Sequence, residues 1–122
     1  MLQASQNTSS VPSQEPARVP GAFEELVREI GEDGAGEVRT VFWSDTDARL
    51  KLLRDLTLAE QRARIGREAH SLKSAARTFG YLRLAALAQQ LEQDAAMIDE
   101  AAHGALVEAM DAAYAAARAQ EG

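Results

Sequence analysis

The sequence predicts an all-α protein, an antiparallel four-helix bundle with an extra short N-terminal helix. Apolar residues recur at helical spacing in five successive stretches, and no stretch alternates polar and apolar residues as a half-buried strand would. The connections between stretches are short, which places consecutive helices side by side and antiparallel.

Residues 1–20 hold Ser, Gln, Asn and Thr together with all three prolines, Pro12, Pro16 and Pro20. A segment so poor in large apolar groups buries too little surface to offset its ordering entropy and reads as a flexible tail. The bundle then occupies residues 21–119. Phe23, Leu26, Val27 and Ile30 mark one face of the short first helix. Gly31-Glu32-Asp33-Gly34 punctuates the chain. A longer helix is predicted from about Ala35 to Leu56, with Val38, Val41, Phe42, Leu53 and Leu56 as its apolar groups. Asp45, Thr46 and Asp47 interrupt that stripe, and Leu50 and Leu52 cannot both face one core.

Thr57-Leu58-Ala59-Glu60 has the form of a capping box and opens the next helix. Its stripe is Leu58, Ile65, Ala69, Leu72, Ala76 and Phe79, and Gly80 suits a left-handed residue at its end. Leu84, Leu87, Ala88 and Leu91 define a fourth helix. Asp99 is placed to cap a last one, with a small-residue seam of Ala102, Leu106, Met110, Ala113 and Ala117.

The 122 residues suffice for one domain and leave no room for a deep cleft between two. There is no cysteine, which excludes disulfides, thiol chemistry and cysteine-ligated zinc. No apolar run approaches the roughly 20 residues that span a bilayer, and Met1-Leu2-Gln3-Ala4-Ser5 lacks the basic-then-apolar order of a secretory signal. The expectation is a soluble cytoplasmic protein without a membrane role. A net charge of −6 argues against nucleic-acid binding. That charge is unevenly spread: Arg62, Arg64, Arg67, Lys73 and Arg77 stand against Glu68 alone, so one short stretch is basic within an acidic chain.

His70 lies in that stretch. At about 100° per residue its side chain points roughly 140° away from the apolar stripe, toward solvent. Gly66, Lys73, Ser74 and Arg77 fall within about 60° of it, with Arg67 at the margin. A neutral imidazole nitrogen is a nucleophile near neutral pH and forms a labile phosphoramidate. Lys73, one turn away, could supply a mobile ammonium against phosphoryl charge, while Ser74 and Gly66 leave room for another protein. A single exposed histidine on a basic face is commonly just a solvated residue, so this geometry permits the chemistry without establishing it. His103, with Asp99 one turn before it, repeats no metal-ligand spacing. Trp43 and Tyr81 read as packing residues.

Ala69-His70-Ser71-Leu72-Lys73-Ser74, followed by Gly80, Leu84, Leu87, Leu91 and Glu92, resembles the signature of the histidine-containing phosphotransfer (HPt) domain family. The match covers about 24 residues and fixes many identities. It implies the four-helix fold with a short leading helix, His70 as the phosphorylated histidine and Lys73 as the lysine that supports the phosphoryl group. Ser74 stands where the family usually has Gly, and remains small. Glu92 falls where some members use Gln to hold the histidine, but it could equally face solvent and is not counted as a site.

The resemblance implies a stoichiometric phosphocarrier in a two-component phosphorelay, not an enzyme, with no kinase activity and no cofactor of its own. Its partners would be receiver domains of response regulators or of a hybrid histidine kinase, and Mg²⁺ would belong to the receiver. The length favours a monomer over a dimeric histidine-kinase-like phosphotransferase. The alternative from another class is a receiver-binding or scaffold bundle that carries no phosphoryl group.

Overall fold

The computed structural model describes residues 11–121. After a single 3-10 turn, Pro12–Gln14, four helical elements follow: α1 Pro20–Asp55, α2 Leu58–Thr78, α3 Leu82–Asp94 and α4 Glu100–Ala119. No strand occurs among the described residues, and no helix among them is long and apolar enough to cross a membrane.

α1 is two helices joined end to end at a kink. At Gly31 the backbone leaves helical geometry (φ 87°, ψ 166°), a conformation open essentially to glycine alone. Residues 20–30 form the short leading helix and 32–55 the first long one. The break is therefore narrower than the four-residue punctuation suggested. Glu32 and Asp33 join the first turn of the long helix, where acidic side chains favour the positive end of the helix dipole.

Cross-helix contacts fix the antiparallel order. Phe42 stacks on Phe79 with centroids 4.4 Å apart, while Arg49 pairs with Glu68 at 2.9 Å, so α1 and α2 run in opposite senses. Arg77 donates to Gln89 and Lys73 to Glu92, both at 2.7 Å, which sets the same relation between α2 and α3. The predicted stripes of α2 and α3 are buried throughout: Leu58, Ile65, Ala69, Leu72 and Ala76, then Leu84, Leu87, Ala88 and Leu91.

The inner faces of α1 and α4 differ from expectation. Val38 and Val41 are exposed, and the buried stripe of the long helix is Phe42, Thr46, Leu50 and Leu53. Thr46, read as an interruption, is 1% exposed, because its position in the 3.6-residue period outweighs its polarity. In α4, Met110, Ala113 and Ala117 are buried as predicted, but Ala102 is exposed and Leu106 only half-buried. His103 and Val107 take the inner positions there. Asp99 Oδ1 accepts from the Ala102 amide at 2.8 Å, as a cap should. Thr57 starts α2 but makes no side-chain cap bond, and the first turn departs from helical geometry at Gln61, so the capping box is not formed.

Of the segment read as a flexible tail, residues 1–10 lie outside the described residues. Residues 15–19 run against the bundle. The Arg83 amide donates to Pro16 O at 3.0 Å, Arg83 Nε to Glu15 O at 3.0 Å, and the Val19 amide to Gly80 O at 2.8 Å. Ala17 is buried, and Arg18 pairs with Glu121 at 3.1 Å. Glu121, with its side chain 4% exposed, also accepts from Arg39 at 2.7 Å and from the Tyr81 hydroxyl. Backbone carbonyls and one buried carboxylate supply the contacts that composition alone does not foresee.

Gly80 is where these constraints meet. Its φ is 76°, and a Cβ there would lie 2.5 Å from Val19 O and 2.9 Å from Ala22 Cβ. Gly80→Ala should therefore cost about 2 kcal/mol or more and lower the urea midpoint. An unchanged midpoint would show that the α2–α3 turn tolerates what this packing forbids.

Candidate functional site

The inner stripe of α2 fixes where its polar side chains go. With Ile65, Ala69, Leu72 and Ala76 facing inward, Lys73 falls roughly 80° off the stripe and His70 nearly opposite it. On α3, Leu84, Ala88 and Leu91 face inward, so Glu92 falls on the flank that meets α2. The His70 side chain is 59% exposed, Glu92 29% and Lys73 16%.

Glu92 joins the other two. Its Oε2 lies 2.8 Å from His70 Nδ1, and its Oε1 accepts from Lys73 Nζ at 2.7 Å. The two oxygens of one carboxylate thus hold the histidine and the lysine. His70 and Lys73, the two predicted site residues, are brought together as the sequence suggested. Lys73 differs in state: the ammonium expected to be mobile is engaged by Glu92, because its flank position aims it into the α2–α3 groove. Glu92 is the residue that sequence reading left uncounted. The signal was its flank position one residue after Leu91, but the register between α2 and α3 was needed to show what it touches.

The bridging fixes protons as well as positions. Hydrogen bonding from Lys73, then from His70, holds the Glu92 carboxyl below the usual glutamate range, against the opposing effect of burial. A carboxylate only accepts, so Nδ1 of a neutral His70 carries the ring proton and Nε2 keeps the lone pair. His70 lines a shallow depression together with Ala63, Gly66, Arg67, Ser71 and Glu92. Three of these six, Ala63, Gly66 and Ser71, are small.

The remaining candidates lie elsewhere. His103 is buried in the α4 face. Trp43 donates from Nε1 to the Tyr81 hydroxyl at 3.0 Å and packs beneath Arg118, whose guanidinium carbon is 4.3 Å from its ring centroid. Tyr81 is fully buried, so neither aromatic forms an open stacking surface. Among the described residues, no group of three His, Asp or Glu side chains is arranged to hold a metal ion.

A depressed carboxyl pKa contributes stability above the unfolded value that is lost only as pH falls through the folded one. The Glu92 side-chain ¹³C resonance should therefore titrate with its midpoint below that of an ordinary glutamate, and Lys73→Ala should raise that midpoint. A midpoint indifferent to Lys73 would contradict the bridge.

The family model described as "Hpt domain" matches residues 37–120. No curated protein and no solved structure matches the chain.

Proposed function

Because the chain belongs to the Hpt domain family, we propose that it carries a phosphoryl group on His70 between receiver domains of a two-component phosphorelay. Family membership supports histidine phosphotransfer, and the observation that carries the assignment to His70 is the exposed ring that lines the depression with its Nδ1 held by Glu92, which leaves Nε2 as the nitrogen free to react. The same reading makes it a monomeric cytoplasmic carrier without kinase activity, with Mg²⁺ on the partner receiver.

Transfer follows from these groups. The Nε2 lone pair of His70 attacks the phosphorus of the partner's aspartyl phosphate. The N–P bond forms, the acyl P–O bond breaks, and the electron pair leaves with the partner's carboxylate. Attack by a ring that keeps its proton on Nδ1 makes that ring cationic. The Glu92 carboxylate already accepts from Nδ1–H and offsets the charge as it develops. It also holds the ring in one tautomer and one orientation, which lowers the cost of alignment. Lys73, at the far oxygen of Glu92, keeps that carboxylate ionised and adds positive charge near the transferred group. Return of the group to a second receiver reverses these steps. Little else is required of the carrier, because phosphoryl transfer depends chiefly on alignment and charge.

Gly66 fits this reading. A Cβ placed there would meet only Ala95 Cβ at 3.6 Å, an ordinary contact, so the bundle itself does not demand glycine. A glycine inside a helix costs about 1 kcal/mol relative to alanine. Open space beside the nucleophile is the use we assign to it.

The direct test is phosphoryl acceptance from phosphorylated receiver domains. His70→Gln should abolish acid-labile labelling while leaving the helical circular dichroism intact; retained labelling would refute the assignment. Lys73→Ala should slow transfer without stopping it, and an unchanged rate would remove its supporting role. Gly66→Ala should raise stability by roughly 0.5–1 kcal/mol while slowing receiver-dependent transfer. If it transferred as fast as the wild type, the docking role of Gly66 would be wrong.

A further inference from the structure

The family pattern assigns phosphoryl support to Lys73, yet in this structure the Lys73 ammonium is already bound to Glu92 at 2.7 Å. The carboxylate offsets part of the ammonium's charge, so a second source of positive charge is sought for an incoming group. The other cations of the basic strip are committed too. Arg62 donates to the carbonyls of Ala95 and Ile98 at 3.0 and 2.8 Å. Arg64 lies 4.0 Å from Glu68, and Arg77 donates to Gln89 at 2.7 Å.

Arg67 is the exception. It is exposed, it lines the depression together with His70, and among the described residues it makes no side-chain hydrogen bond or ion pair. Its position is suited to the nucleophile. Helical side chains lean toward the N-terminus of their helix, so the His70 ring overlies the turn that holds Gly66 and Arg67. A guanidinium presents a planar fork of donors that matches phosphoryl oxygens, which suits it to a group bearing three of them.

The geometry points to Arg67 as the cation that contacts the phosphoryl oxygens when the group sits on His70 Nε2. This rests on the relay reading above and adds a residue to it. Arg67 lies on the turn before His70 and Lys73 on the turn after it, on opposite sides of the ring's helical position, so the phosphoryl group is flanked by both cations. Among the described residues, Arg67 is the one cation of the basic strip that makes no side-chain hydrogen bond or ion pair.

The test separates contact with the phosphoryl group from contact with a partner protein. Phosphoramidate, a small donor whose P–N bond breaks with loss of ammonia, would label wild type, Arg67→Gln and Arg67→Lys. The ³¹P resonance of phosphorylated His70 would then be followed against pH. A nearby guanidinium favours the more ionised phosphoryl group, so the Gln variant should titrate about 0.3–0.5 unit higher than wild type, and the Lys variant should recover most of the difference. Single-turnover transfer from a phosphorylated receiver should slow roughly three- to tenfold in the Gln variant. A ³¹P midpoint unchanged in Arg67→Gln would overturn the assignment and leave His70 as the carrier. A wild-type protein labelled by neither phosphoramidate nor receivers would overturn both.

Discussion

One carboxylate organises the chemistry of this bundle. Glu92 spans the groove between α2 and α3 and gives one oxygen to His70 and the other to Lys73. A histidine alone on an exposed helix face would sample two tautomers and several rotamers. Held by a carboxylate, it presents a single nitrogen to the outside. The lysine completes the arrangement by keeping the carboxylate charged through the neutral range. Ring orientation, proton location and local charge are therefore consequences of one side chain's reach across a helix pair.

That reach depends on register. Sliding α3 by one residue against α2 would rotate Glu92 off the flank and bring Gln93 or Leu91 toward it. Two features prevent this. The interdigitated stripes of Leu72, Ala76, Leu84, Ala88 and Leu91 leave little freedom, since burial of each large apolar side chain is worth roughly 1.5–3 kcal/mol. The turn between the helices is closed by Gly80 in a left-handed conformation, with the 15–19 segment hydrogen-bonded across it. Glu121 ties that segment to α1 and to the Tyr81 hydroxyl, whose pKa is driven up chiefly by burial and which therefore remains a donor. The end of the bundle that carries Gly80 and Glu121 thus holds the register that brings His70, Lys73 and Glu92 together.

Much of this was legible in the sequence, and the exceptions share a cause. The stripes of α2 and α3, the cap at Asp99 and the left-handed Gly80 follow from local rules of period and turn chemistry, which need no knowledge of neighbours. The outward direction of His70 followed from the same arithmetic. What escaped depends on contacts between elements distant in sequence. Thr46 looked like a break in a stripe until its neighbours across the bundle were known, and Val38 and Val41 looked like core. Residues 15–19 looked unable to fold alone, and it is the bundle that supplies their partners. Glu92 could have faced solvent or the groove, and only the pairing of α2 with α3 decides between them. Local pattern placed the His70 ring on the outer face; tertiary register showed how it is held.

The account turns on which ring nitrogen is free to react. The most direct measurement is heteronuclear NMR of ¹⁵N-histidine-labelled protein after phosphorylation, with the ¹⁵N–³¹P coupling assigning the attachment atom. The account requires the phosphoryl group on Nε2 of His70, with Nδ1 still bonded to Glu92. Attachment at Nδ1, or at no histidine, would contradict it.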